Sequence, residues 1–182
     1  LLKSMQDLGD VSCHFHLAGG GSGAEKEHCL ELATALGDKA TVHGILSHQA
    51  LGDLMRASDI FVMPSFFEGL PLVLLEALAC GCRIITTDLP GCKQLFSRLH
   101  PTMVRMLELP PLMDIDRPHP EDEPLLQKRL TELLGQGIRN VLDGGNVDME
   151  YVRERVAPYT WEGIFCRIRK AYERALDHRR SQ

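Results

Sequence analysis

Short apolar strands alternate with helices through the first 96 residues, and this alternation restricts the fold more than any other feature of the sequence. Strands are predicted at residues 11–17, 40–43, 59–63 and 83–87. Helices are predicted at residues 1–8, 24–36, 49–57 and 71–80, with Ser47 capping the third and Pro71 opening the fourth. Because single short helices join consecutive strands, the strands must pair in parallel. The pattern therefore predicts a Rossmann-like α/β fold, with one parallel sheet covered by helices on both faces.

The pattern changes after about residue 100. Five of the ten prolines lie between Pro110 and Pro124, among several acidic residues, which predicts a surface loop at residues 109–123. Helices are predicted beyond it, at residues 124–142, 147–157 and 161–179. We therefore expect a single domain made of an α/β core (1–108), an acidic proline-rich loop (109–123) and a helical C-terminal segment (124–182).

Charge and hydropathy exclude two classes of protein. The net charge is −5, which disfavours nucleic-acid binding because that activity needs a basic surface. Residues 151–182 are the exception, with eight basic against four acidic side chains, and indicate either a solvated helix face or a docking surface for an acidic partner or membrane lipid. The apolar run 70–75 ends at Glu76, so the sequence predicts no membrane-spanning helix.

Cysteines and histidines do not form a metal or redox motif. No pair among the six cysteines has the Cys-x-x-Cys spacing, and several lie in apolar runs, as small core residues do. This usage is typical of a reduced, cytoplasmic protein. His14 and His16 share one face of a predicted strand, but two side chains are too few for a metal site. We therefore expect no metal.

Five small residues, Gly19 to Gly23 with Ser22 among them, join the first predicted strand to the following helix. Glycines in this place let a ligand approach the backbone and direct helix N-terminal amides at an anion such as a phosphate. The spacing fits neither Gly-x-Gly-x-x-Gly nor a phosphate-binding loop ending in Gly-Lys-Ser/Thr. A tight structural turn is the alternative interpretation.

A more specific motif occupies residues 64–81. A predicted strand ends at Pro64, and Gly69-Leu70-Pro71 opens a helix outside its carboxyl end, where open α/β sheets bind ligands. The amides from Gly69 to Val73 suit a diphosphate. Glu76 interrupts an apolar helix, and a carboxylate there is costly unless hydroxyl groups such as those of a sugar or ribose satisfy it. The structural alternative is a helix-start acid at Glu68 and a hydrogen-bonded or solvent-reaching Glu76.

Taken together, these residues resemble the family-4 retaining glycosyltransferases of the GT-B fold. The segments that carry the resemblance follow the family's order and spacing: Ala18-Gly19-Gly20-Gly21-Ser22, His43-Gly44, 57–65 and 68–81. The likeness is strongest over residues 11–96. Trp161, which opens the last predicted helix, and Tyr172 within it also resemble the family's C-terminal segment.

The resemblance implies roles for individual residues. Glu68 would contact the donor sugar as a positioning and electrostatic residue, and Glu76 would bind the ribose hydroxyls. The other residues implied in donor binding are Ser65 with Gly69, Leu70, Pro71, Leu72 and Val73 at the sugar and diphosphate, Gly44, Ile45 and Leu46 beside the base, and Gly19 and Gly21 in the cleft. Such enzymes use no metal or other cofactor, because a helix dipole and basic side chains offset the charge of the leaving diphosphate.

The resemblance also implies partners. The chain would be the C-terminal, donor-binding half of an enzyme that transfers a hexose, with retention, from a nucleoside diphosphate sugar to a glycan, lipid or small-molecule acceptor. We expect the acceptor-binding N-terminal domain to lie outside this sequence, and this half alone to be inactive. The last helix would pack toward that domain. The enzyme would be cytoplasmic, either free or peripheral to the inner face of a membrane.

Two departures from the family pattern keep alternatives open. The basic pair that neutralises the diphosphate, a Gly-Arg followed by a Lys, is absent, and Gln94 stands where the family has an acid. These departures favour a non-catalytic interaction module that has kept the fold. A nucleotide-sugar epimerase of the same architecture is a third interpretation.

Overall fold

A computed structural model describes residues 1–96 and 99–180, which form two compact units, Leu1–Val147 and Asp148–Gln182. The first unit contains five strands: β1 (Phe15–Ala18), β2 (Ala40–Gly44), β3 (Ile60–Met63), β4 (Arg83–Thr87) and β5 (Val104–Leu107). Its helices are α1 (Leu2–Asp7), α2 (Gly23–Thr34), α3 (His48–Arg56), α4 (Leu72–Ala79), α5 (Pro90–Phe96) and α6 (Glu123–Leu142). The second unit contains α7 (Met149–Val156) and α8 (Trp161–Arg180).

All strand pairs are parallel, as predicted, but they form two sheets rather than one. β1 pairs with β2, and β4 lies between β3 and β5. The predicted parallel α/β architecture is therefore confirmed, with the described strands divided between two sheets. In each sheet the carboxyl ends of the strands lie at one edge, because parallel strands share a direction.

The three-stranded sheet contains the core of the first unit. Every residue of β4 is buried, and α6 packs over the sheet through an apolar cluster: Ile85, Leu107, Leu126, Leu130 and Leu134. Gly137 allows this close approach, since a Cβ there would lie 3.2 Å from Ile85 Cδ1. α1 packs against the same cluster through Met5 and through its flanking residues Leu1 and Leu8.

The two-stranded sheet is much more exposed. Along α2 only Ala33 is buried among the helix residues, and β1 alternates between half-buried and exposed positions. β1 begins at Phe15 rather than at residue 11, because residues 11–14 pair with no neighbouring strand. Burial on this side therefore contributes little hydrophobic stabilisation compared with α6 and β4.

Local signals in the sequence predicted some helix ends correctly and others not. Ser47 caps α3, and its hydroxyl accepts a hydrogen bond from the Ala50 amide at 3.2 Å. Pro71 is the residue before α4 rather than its first residue. Residues 109–122 form a loop with a short 3₁₀ turn at Pro120–Asp122. α5 and β5 were not predicted, since each has seven residues or fewer and no clear periodicity.

The second unit is a helix pair. Asp148 caps α7 by accepting hydrogen bonds from the amides of Glu150 and Tyr151, both at 3.0 Å. α8 leaves one apolar stripe exposed along its length: Trp161, Phe165, Ile168, Tyr172 and Leu176. Within the described residues, no helix is both long and apolar enough to cross a membrane.

Buried cysteines serve packing, as predicted. The Cys82 thiol donates to the Met55 carbonyl oxygen at 3.1 Å, and burial raises its pKa to about 12, so it is a poor nucleophile at neutral pH. Cys92 is also buried. Of the other four, Cys29 is exposed on α2, and Cys13, Cys80 and Cys166 are half-buried.

Candidate functional site

The chain leaving β3 is anchored by two buried threonines of β4. Thr86 Oγ1 donates to the Met63 carbonyl oxygen at 3.0 Å, and the Thr87 hydroxyl donates to the carbonyl oxygen of Ser65. Both threonines are at most 1% exposed. These bonds hold the first turn of the loop 64–71 against the neighbouring strand. Nothing in sequence spacing identifies the two threonines as loop anchors, since they lie more than 20 residues away from their acceptors.

The same loop is supported by α5. A Cβ on Gly91 would overlap the Gly69 carbonyl oxygen and come within 3.6 Å of Pro71. Glycine at position 91 therefore allows α5 to lie directly behind the loop. Because the overlap would be with backbone, no side-chain rotation relieves it.

Glu68 lies half-buried in this loop, near the start of α5. Burial raises the pKa of the Cys92 thiol, and the carboxylates of Glu68 and Asp88 raise it further, whereas a hydrogen bond between Cys92 and Thr86 lowers it. Glu68 follows β3 and precedes α4, so it lies in the connection at the carboxyl edge of the three-stranded sheet.

α4 begins immediately after the loop with its first amides uncapped by a side chain. Its N-terminus carries the positive end of the helix dipole and unpaired N–H groups. Leu70 and Leu72 are about half exposed beside it, at 47% and 56%, whereas Pro71 is buried. Gly69, Leu70, Leu72 and Val73 thus offer backbone N–H groups near this surface, whereas Pro71 has none.

Glu76 is on the open side of α4, which corrects part of the sequence interpretation. Its side chain is 46% exposed, and His48 Nε2 lies 3.6 Å from its Oε1. The buried residues of this helix are Leu74, Leu75, Ala77 and Leu78. At 100° per residue these four cover the side of α4 that faces the core and leave position 76 outside it. Glu76 therefore does not carry the burial cost that the apolar flanks predicted.

Two further loops meet at the carboxyl edge of the β1–β2 sheet. The Gly19 amide donates to the Gly44 carbonyl oxygen at 2.8 Å. Gly19 and Gly44 both have positive φ, +138° and +66°, a region that residues with a Cβ rarely adopt. Ile45 is 86% exposed and covers Gly20, where a Cβ would lie 2.9 Å from its side chain.

The structure thus brings the predicted residues together in two groups. Ser65, Glu68, Gly69 to Val73 and Glu76 lie around the β3–α4 connection. Gly19, Gly21, Gly44, Ile45 and half-buried Leu46 lie around the ends of β1 and β2. The His48–Glu76 pair links the two groups, because α3 follows β2 and α4 follows β3.

Other depressions and clusters lie elsewhere. A cavity of about 320 Å³ lies between α1 and α6, lined by Asp7, Gln127 and Lys128 among others. His14, His16 and His43 form an exposed cluster, with His16 Nδ1 3.0 Å from His43 Nε2. Among the residues that the structure describes, no three histidine, cysteine or acidic side chains are arranged to hold a metal ion.

Comparisons with known proteins define the class. The profile of the family "Glycosyl transferases group 1" matches residues 1–101, more than half of the chain. The chain belongs to this family of glycosyltransferases. Its α/β architecture, with parallel sheets flanked by helices and a helical C-terminal tail, is that of the GT-B glycosyltransferases.

One similar curated protein is an N,N'-diacetylbacillosaminyl-diphospho-undecaprenol α-1,3-N-acetylgalactosaminyltransferase of Campylobacter jejuni. It is 36% identical over 63 residues, which are 35% of this chain and 17% of that protein. The matched stretches cover between 15% and 27% of the first curated relatives. The matched stretch therefore covers less than a third of each of these relatives.

Two solved structures show the same fold. Sucrose-phosphate synthase from Thermosynechococcus elongatus superposes with a TM-score of 0.68 at 23% identity, covering 97% of this chain and 42% of that chain. The pneumococcal O-GlcNAc transferase in complex with UDP and GlcNAc superposes with a TM-score of 0.61 at 18% identity, covering 96% and 31%. The likeness extends over nearly all of the chain, including the region beyond residue 101.

Proposed function

We propose that this chain is the donor-binding half of a glycosyltransferase that moves a hexose, with retention, from a nucleoside diphosphate sugar to an acceptor. The observation that carries the proposal is the β3–α4 connection. There a half-buried carboxylate, uncapped helix amides and an exposed second carboxylate follow one another at the carboxyl edge of a parallel sheet. In open α/β sheets this edge is where ligands bind.

The proposed roles follow from charge and position. The amides of Gly69, Leu70, Leu72 and Val73 and the dipole of α4 would stabilise the negative charge of the diphosphate, including the charge that develops as it leaves. Glu68, in the loop before them, would face the sugar and position it. Glu76 would accept hydrogen bonds from the ribose hydroxyls. Transfer would proceed without a metal or other cofactor, because the helix dipole and backbone donors offset the diphosphate charge.

We propose that the residues around the ends of β1 and β2 contact the base and form the wall of the cleft. Ile45 offers an exposed apolar side chain beside Gly44 and Leu46, which suits one face of a planar base. Gly19 and Gly21 leave the backbone open to the ligand. The pneumococcal relative in fold was solved with UDP, so UDP is the first nucleotide to test here.

The sheet edges support a further proposal, that the chain is one half of a two-domain enzyme. Among the described strands, β1 has one hydrogen-bonded neighbour, β2, and β3 has one, β4. The other edge of each strand is therefore open to a further strand. α1 packs on both α2 and α6. A parallel strand between β1 and β3 would give the order β2-β1-new-β3-β4-β5, which is the order of a doubly wound sheet. We propose that the complete enzyme supplies this strand together with an acceptor-binding domain, and that residues 1–182 alone catalyse no transfer.

The exposed stripe on α8 supports the same proposal. Trp161 stacks on Phe165 with ring centroids 6.0 Å apart, and both rings are more than 60% exposed. We propose that this stripe packs against the acceptor-binding domain of a cytoplasmic enzyme. Sedimentation of the complete enzyme with anionic liposomes, with and without residues 160–182, tests it, and pelleting that depends on the tail would instead indicate a membrane surface.

Calorimetric titration of the chain with UDP, GDP and ADP tests the donor site. Glu76→Gln should weaken the best nucleotide about tenfold, since it replaces a charged acceptor with a neutral amide. Glu132→Gln, an exposed glutamate on α6, is the control and should change nothing. The melting temperature without nucleotide should be equal in both variants, because Glu76 lies at the surface. Loss of thermal stability in Glu76→Gln without loss of affinity would show a structural role and contradict the proposal.

A further inference from the structure

His48 and Glu76 form a contact that no sequence spacing indicated. His48 is the first residue of α3, Glu76 lies in α4, and His48 Nε2 is 3.6 Å from Glu76 Oε1. The two side chains are 87% and 46% exposed. The pair therefore forms at the open surface that joins the β1–β2 loops to the β3–α4 connection.

Helix stability does not explain a histidine at this position. Helix N-termini favour acidic side chains, because the dipole and free amides attract negative charge. The first turn of α3 contains no acidic residue, and Ser47 already caps the helix through the Ala50 amide. His48 contributes nothing to this cap, and its side chain instead reaches to the neighbouring helix.

The carboxylate of Glu76 has capacity left for another ligand. Within the described residues, His48 approaches Oε1 and no protein donor reaches Oε2. A carboxylate oxygen accepts two hydrogen bonds, so His48 occupies a small part of what the group offers. On an exposed helix an unheld glutamate samples several rotamers, and holding it lowers the entropy that a ligand must otherwise overcome.

We propose that His48 is a positioning residue of the nucleoside subsite: it holds the Glu76 carboxylate so that its free oxygen accepts hydrogen bonds from the ribose hydroxyls. This inference rests on the proposed donor-binding function. His48 acts through Glu76, while Ile45, three residues earlier, borders the space for the base. A nucleotide without ribose hydroxyls gains nothing from His48.

The experiment is calorimetric titration of the full chain with the best-binding of UDP, GDP and ADP, and with its 2',3'-dideoxy analogue. His48→Ala should weaken the ribonucleotide about fivefold, the upper end for an exposed contact between an imidazole and a carboxylate, and should change the affinity for the dideoxy analogue less than about 1.5-fold. His48→Gln, which keeps a side-chain donor, should recover part of the loss. In a Glu76→Gln background, His48→Ala should have no further effect.

His28→Ala is the matched control. His28 makes the same kind of contact on α2, with Nδ1 3.7 Å from Glu31 Oε2, away from the site. Equal affinities in His48→Ala and His28→Ala would overturn the inference and leave the donor site standing. An equal loss for the ribonucleotide and its dideoxy analogue would also overturn it, because His48 would then act elsewhere than at the ribose. A wild-type chain that binds none of the nucleotides would overturn both proposals.

Discussion

The two strand–loop–helix connections that border the site are built differently. The β3–α4 connection is held from behind by Thr86, Thr87 and Gly91, and α4 buries four of its eight residues. The β1–α2 connection rests on the Gly19–Gly44 hydrogen bond, and its helix buries only Ala33. The first connection is therefore supported by more buried contacts than the second.

The difference arises from the neighbouring strands. β3 lies beside β4, which is buried along its whole length and supplies the anchoring hydroxyls. β1 lies beside β2, which is half-buried or exposed. Glu68 and Glu76 therefore lie on a connection that buried residues support. Gly19 and Gly21 lie on a connection with few buried residues. Three substitutions sharpen this contrast.

Gly91→Ala should have the largest effect. Its Cβ would overlap the Gly69 carbonyl oxygen, so the backbone of α5 or of the loop must shift. We expect a loss of about 3 kcal/mol in the free energy of unfolding, at the upper end for overpacking, measured by urea denaturation. Gly69→Ala is the control for stability, since a Cβ there meets nothing within 4 Å. Equal stability of the two variants would show that α5 does not support the loop.

Thr87→Val should have an intermediate effect. Valine keeps the shape of threonine but removes the hydroxyl that donates to Ser65, which leaves the carbonyl oxygen of the loop without this partner. We expect a loss of about 1–2 kcal/mol by the same measurement. Thr34→Val provides the comparison, because its hydroxyl bonds the Leu30 carbonyl oxygen on the exposed surface of α2. A Thr87 variant no less stable than the Thr34 variant would refute the anchoring role.

Gly20→Ala should have the smallest effect on stability. The added Cβ would lie 2.9 Å from the end of the Ile45 side chain, which is 86% exposed and free to rotate away. We expect a change below about 0.5 kcal/mol, as for ordinary surface substitutions. If Ile45 contacts the base as proposed, nucleotide affinity should fall about twofold, because its side chain is displaced. A destabilisation approaching that of Gly91→Ala would mean that the β1–α2 connection is as tightly built as its counterpart.

Much of the first unit could be predicted from the sequence, and the exceptions have physical reasons. Strands 40–43, 59–63 and 83–87 were predicted within one or two residues because apolar runs ended at turn residues. β5 and α5 were missed because short elements stabilised by tertiary packing carry little local signal. The division of the strands between two sheets was not predicted, because register and strand neighbours depend on pairing partners rather than on local pattern.

Glu76 shows the same limit at the site. The apolar residues around it along the chain suggested burial, but in α4 those residues turn to the core and Glu76 to the surface. A helix separates sequence neighbours by 100°, so proximity along the chain is a poor guide to environment. The sequence predicted a buried Glu76 in need of a partner, whereas the structure shows an exposed Glu76 beside His48.

By itself, the sequence determined the parallel α/β class, the order of its main elements and the residues of the glutamate motif, because periodicity and turn chemistry act locally. The tertiary structure alone decided that Thr86, Thr87 and Gly91 fix the loop of Glu68 and that His48 meets Glu76. These contacts join residues more than 20 positions apart. Only the folded arrangement of strands and helices brings such residues together, because local sequence patterns carry no information about contacts between distant positions.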